Sequence, residues 1–189
     1  MKLKFAMISV IIVAFLATTL PLLADDDDDD HERREHATAS KTPGVTPVIH
    51  EAYAKECSSC HFAYQAGLLP KRSWEKLMTG LEEHFGENAE LSTEVQTELT
   101  KYLVENAADN SLDKISMKFM RNLSVAETPL RTTEIPYMKR EHRKMSKQMV
   151  AENPDVKSLS YCDKCHTRAD VGSYSEREIK IPGFKNWDD

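Results

Sequence analysis

All four cysteines of this 189-residue chain fall in two copies of one pentapeptide, Cys57-Ser58-Ser59-Cys60-His61 and Cys162-Asp163-Lys164-Cys165-His166. Two thiols separated by two residues, with an imidazole next, is the attachment pattern of a c-type haem. The thiols add across the two vinyl groups to give thioethers, one turn of backbone spans the gap, and the adjacent histidine reaches the iron. Zinc sites and redox dithiols also use paired cysteines. Histidine is 7 of 189 residues, so two chance histidines at these two positions have odds of roughly one in seven hundred. The pairs lie about a hundred residues apart, too far for a ribbon-type zinc site without a long excursion, and neither has the βαβ surroundings of a redox dithiol. The pattern points to two covalently attached haems on Cys57, Cys60, Cys162 and Cys165, with His61 and His166 as proximal ligands.

An iron that only passes electrons needs a sixth ligand; methionine raises its potential and histidine leaves it lower. The first half offers His50, His84 and Met78, with Met117 and Met120 further on. His50 shares a helical face with Cys57 and approaches from the proximal side, so it serves the other haem or the surface. His84 falls on the apolar face of a separate helix and is the favoured candidate. Met78 shares that helix but points away, and Met117 and Met120 come after the last packing helix. The second half offers His142, with Met138, Met145 and Met149 as rivals. His142 sits centrally on their shared face and is favoured, with the methionines packing around the macrocycle. One iron could also stay five-coordinate and open to a small gas.

These residues need elements to position them. Val48, Ile49, Ala52, Tyr53, Cys57 and Cys60 recur at helical spacing, which predicts a helix over 48–61 ending in the first motif. Ser73 reads as an N-cap for a helix over 74–85 that Gly86 stops, with Trp74, Leu77, Leu81 and His84 on one face. A third helix over 93–106 carries Val95, Leu99, Tyr102 and Leu103. Three helices in about sixty residues make too small a core, which a haem would fill. A short helix is expected around 115–121. Pro136 suits a first-turn position of a helix carrying Tyr137, Met138, His142, Met145 and Met149, ended by Asn153-Pro154. Residues 158–166 read as a short helix bearing the second motif, and 167–189 as an irregular wrap.

Residues 1–24 have the basic, apolar and small-residue order of a secretory signal, with cleavage expected after Ala24. Six aspartates at 25–30 open an acidic leader that should stay solvated. Residues 25–189 carry 23 basic and 31 acidic residues, but without 25–36 the balance is 21 against 23. A nearly neutral folded part gives no basis for a nucleic-acid partner.

Several stretches resemble the bacterial dihaem cytochrome c family that partners the sphaeroides haem protein type of cytochrome. They are Glu56 through Tyr64, Gly67 to Pro70 with Arg72-Ser73-Trp74, His84 to Ala89, and Tyr102-Leu103-Val104 with Asn106-Ala107-Ala108. Arg140-Glu141-His142-Arg143 and Cys162 to Thr167 continue the match. The resemblance spans about 48–183. It implies bis-histidine ligation of both irons, with His84 and His142 as the distal ligands. It also implies electron exchange with a small c-type cytochrome or a membrane b-type cytochrome.

The expected fold is mainly α, a cytochrome c-like N-terminal haem domain plus a smaller irregular helical C-terminal haem domain. The expected divisions are signal peptide 1–24, acidic leader and linker 25–46, first haem domain 47–109, connection 110–132 and second haem domain 133–189. The expected function is periplasmic electron transfer without catalysis. The competing expectation is a peroxidase-like dihaem enzyme or gas sensor with one open iron. Nothing in the sequence fixes the oligomeric state.

Overall fold

His50 opens the first helix, α1 (Glu51–Cys57), by accepting the Tyr53 N–H on Nδ1 at 3.3 Å. Its other nitrogen, Nε2, lies 3.1 Å from a Glu98 carboxylate oxygen, and its ring sits 4.7 Å from that of Tyr102. One nitrogen thus caps α1 and the other ties it to the third helix. The computed structural model describes residues 44–185. The export signal, the aspartate run and the linker before residue 44 lie outside the described residues.

Four more helices follow: α2 (Lys71–Met78), α3 (Thr93–Glu105), α4 (Lys114–Arg121) and α5 (Pro136–Glu141). Among the described residues there are only isolated β-bridges and no strand. Ser92 caps α3, as its hydroxyl accepts the Val95 N–H at 3.3 Å. Leu99 and Leu103 of α3 are fully buried against Tyr53, Leu68, Trp74 and Met78. Each such side chain, fully buried, contributes about 1.5–3 kcal/mol. Met78 is spent on this core. Met117 is 45 % exposed and does not line the cavity beside the second motif.

Three helices are shorter than their spacing predicts: α1 spans Glu51–Cys57 rather than 48–61, and α2 and α5 are also cut short. Pro70 rather than Ser73 caps α2, and Ser73 is buried within it. The helix stops at Met78, where the Thr79 hydroxyl donates to the Glu75 and Lys76 carbonyls at 3.0 and 3.1 Å and the poor helix former Gly80 follows. Pro136 does open α5, but that helix ends at Glu141. The Arg143 guanidinium donates to the Arg140 carbonyl at 2.9 Å, and His142 donates to Met138 O, so side chains close the last turn.

From His142 onward the described chain is mostly turns, with two short 3-10 turns at Cys162–Lys164 and Glu176–Glu178. The helix expected over 158–166 is only the first of these. Polar contacts fix this irregular part. The buried Asn153 donates to the Pro182 carbonyl at 2.8 Å, and Lys180 N donates to Cys165 O at 2.9 Å. Val45, read from sequence as linker, is fully buried and donates its N–H to Gly172 O at 2.9 Å. Gly172 has a φ of +74°, and a Cβ there would lie 1.9 Å from Val45 O, so only glycine fits this crossing.

Candidate haem sites

The first pentapeptide begins on the last residue of α1 and continues as turn. His61 projects beyond it, with Nδ1 2.7 Å from the Phe62 carbonyl oxygen. A carbonyl can only accept, so Nδ1 carries the proton and Nε2 keeps a free lone pair. His84 arrives from the other side. It does not sit on a helix face, as its spacing from Leu81 suggested. It flanks a two-residue turn in which His84 N donates to Glu87 O at 2.8 Å and Glu87 N donates back at 3.3 Å. Phe85 and Gly86 make that turn at φ +59° and +99°, a geometry that favours glycine and strains Phe85. The His61 and His84 rings face each other with centroids 6.1 Å apart and planes 23° apart. Burial, then His61, then the Arg131 guanidinium hold His84 below the usual imidazole range.

The second pentapeptide has the same partner arrangement. The His142 and His166 ring centroids are also 6.1 Å apart, with planes at 65°. His142 Nδ1 lies 3.0 Å from the Met138 carbonyl, which again frees Nε2. His166 is pushed down to about 4, first by burial and then by His142. Metals bind the neutral imidazole, so both depressed values favour the ligating form. Cys162, Cys165, His142 and His166 line one cavity, whose remaining walls include Phe119, Met138, Met145 and Tyr174.

Two observations test whether haems fit. Two imidazoles bound to opposite faces of one metal, at about 2.0 Å per metal–nitrogen bond, have ring centroids about 6 Å apart once the ring radii are added. Both pairs meet that spacing. In addition, both cysteines and both histidines of the second site open on one cavity walled by Leu68, Ile115, Phe119 and Met138, which a macrocycle bonded to those residues would fill. A zinc reading fits less well. Among the described residues no three of His, Cys, Asp or Glu converge on a metal-sized site.

Sequence reasoning missed the contacts that join the sites. The Tyr64 hydroxyl donates to the Ser160 carbonyl, and its ring lies 5.5 Å from His61. The neighbouring Gln65 donates to Ala169 O at 2.5 Å and accepts from the Tyr174 hydroxyl at 2.6 Å. Tyr174 in turn lies 5.2 Å from His166. Two consecutive residues after the first motif thus grip both flanks of the second. The only sequence signal was two polar residues in an apolar loop, with no hint of partners about a hundred positions away.

The family model described as dihaem cytochrome c matches residues 53–174. The chain belongs to the dihaem cytochrome c family. No functionally curated protein matches it. The diheme cytochrome c from Rhodobacter sphaeroides is 41 % identical, with a TM-score of 0.62 over 69 % of this chain and 100 % of that one. The diheme cytochrome type c from Shewanella baltica OS155 is 36 % identical, with a TM-score of 0.60 over 73 % of this chain and 97 % of that one. As a member of the dihaem cytochrome c family, the chain is an electron-transfer cytochrome with two c-type haems. The four cysteines of the two motifs are its only thiols for covalent attachment. Members of this class are typically exported. Among the described residues no helix is long and apolar enough to cross a membrane.

Proposed function

We propose that both irons are bis-histidine ligated, one by His61 and His84 and the other by His166 and His142, in a periplasmic carrier without substrate chemistry. The observation that carries this reading is the pair of 6.1 Å imidazole separations, one at each motif. The bound haems supply one-electron chemistry. The chain's part is to occupy both axial positions, keep Nδ1 protons on the Phe62 and Met138 carbonyls, and line the second site with apolar side chains that exclude water. Two imidazoles held to each iron would leave no position for a peroxide or a gas, which argues against the enzyme or sensor reading. The contacts of Tyr64, Gln65 and Tyr174 hold the two sites in one fixed arrangement, which electron exchange between them requires. A small c-type cytochrome or a membrane b-type cytochrome fits as the redox partner. The terminal sequence pattern supports export, with cleavage after Ala24.

Carbon monoxide tests this reading. The dithionite-reduced holoprotein should show no rapid change in its absorption spectrum when the gas is added. Rapid binding at either haem would remove the bis-histidine reading and favour an open-coordinate enzyme or sensor.

A further inference from the structure

The charges of this protein are segregated by site. Residues 44–110, which carry the first motif, hold 5 basic and 11 acidic residues, whereas residues 111–150, which carry His142, hold 9 basic and 4 acidic. Lys118, Lys139, Arg140, Arg143, Lys144 and Lys147 are all exposed. Among the described residues only Arg140 of these six makes an ion pair, with its neighbour Glu141 at 3.1 Å. The structure ties this surface to the second haem site. Tyr137, His142 and Met145 line its cavity. Lys118 and Arg140 lie over the Tyr137 ring, 5.3 and 4.8 Å from its centroid, and Arg143 and Lys144 fall between His142 and Met145.

These cations exceed what the site itself needs. Residues 111–150 have a net charge of +5, and the two propionates of one haem leave a surplus. Unpaired cations around a cavity mouth produce a field that steers an anionic partner and orients it on contact. A membrane surface is a poorer occupant. Membrane-seeking basic segments present apolar residues for insertion; the exposed Leu112, Met117 and Val125 fall in 111–133, and no exposed large hydrophobic lies in 134–150, which holds five of the six cations.

We propose that this basic face docks the acidic face of a protein electron donor or acceptor at the second haem. The inference rests on the electron-carrier reading. One electron passes between the two proteins, so one is oxidised as the other is reduced, and no bond or proton is exchanged.

The test is stopped-flow reduction of the mature holoprotein by a reduced plant-type [2Fe–2S] ferredoxin, used as an acidic protein donor. The rate should fall at least about tenfold as salt rises from about 0.01 M to about 0.3 M. At low salt the double variant K144E/K147E should also be slower by at least about tenfold, with unchanged absorption spectrum and midpoint potentials. A rate insensitive to both salt and charge reversal overturns the docking claim and leaves the carrier reading standing. A protein that takes electrons from neither ferredoxin nor dithionite overturns both. Salt-insensitive reduction together with co-sedimentation on phosphatidylglycerol vesicles would reassign the face to a membrane and overturn it. So would salt sensitivity that emerges only when the aspartates at 25–30 are replaced by serine, because the chain's own acidic run would then be the occupant.

Discussion

Replacing His84 or His142 with alanine converts one haem, and one only, from a six-coordinate low-spin form to a high-spin form that binds carbon monoxide. Among the described residues each ring is the sole imidazole facing its proximal partner, at 6.1 Å. Among the rival ligands, Met78 is buried in the protein core and Met117 is part-exposed, whereas Met138 and Met145 line the second cavity beside His142. About half of the low-spin absorption should be lost in each variant, and the ferrous protein should take up one equivalent of carbon monoxide. His50→Ala is the contrasting case. It removes the cap of α1 and the contact with Glu98, so it should cost about 0.5–2 kcal/mol of stability and leave both haem spectra unchanged. Unaltered spectra in both His84→Ala and His142→Ala would sink the ligand assignment.

The double variant C162S/C165S should retain one haem by mass and lose order in the second half of the chain. The first half has a protein core of its own, built on Leu99, Leu103 and Trp74. Beyond His142 the described chain has no α-helix, and Met145, Val156, Leu159 and Ile179 face the cavity. Without a haem those side chains lose the group they would pack against on the cavity side. The loss should be at least that of one large core side chain, about 3–5 kcal/mol. Limited proteolysis should read it as rapid cleavage within 142–182 while 44–110 stays intact. C57S/C60S should leave the fragment pattern much closer to that of the unaltered protein. Equal protection of both halves in C162S/C165S would contradict the idea that the second haem serves as a core.

How much of this was legible in the sequence depends on how local each constraint is. Thioether chemistry fixes residue type and spacing within five positions, so the two pentapeptides can be read directly. The helix over 93–105 is nearly as plain, because Ser92 and the Leu99–Leu103 step act within one element. His84 is legible as a residue but its setting is not. Its spacing from Leu77 and Leu81 imitates a helical face, yet Thr79 and Gly80 end α2 and the Phe85-Gly86 turn presents the ring. The spacing of His142 with Met138 and Met145 misleads in the same way, because the helix closes at Glu141. His50, read from spacing as serving the other haem or the surface, is a helix cap. The grip of Tyr64 and Gln65 on Ser160 and Ala169 is set by tertiary packing alone, so no local pattern announces it.

The ferric holoprotein's low-temperature electron paramagnetic resonance spectrum tests the central claim most directly. Imidazole planes that are nearly parallel split the iron's two π-type d orbitals and give a rhombic low-spin signal. Planes that are nearly perpendicular leave those orbitals close in energy and give a strongly anisotropic one. With planes 23° apart at the first site and 65° apart at the second, the spectrum should contain one low-spin signal of each kind, in equal amounts, and no high-spin iron. A high-spin signal of one haem equivalent, or a haem whose sixth ligand proves to be methionine, would contradict the account.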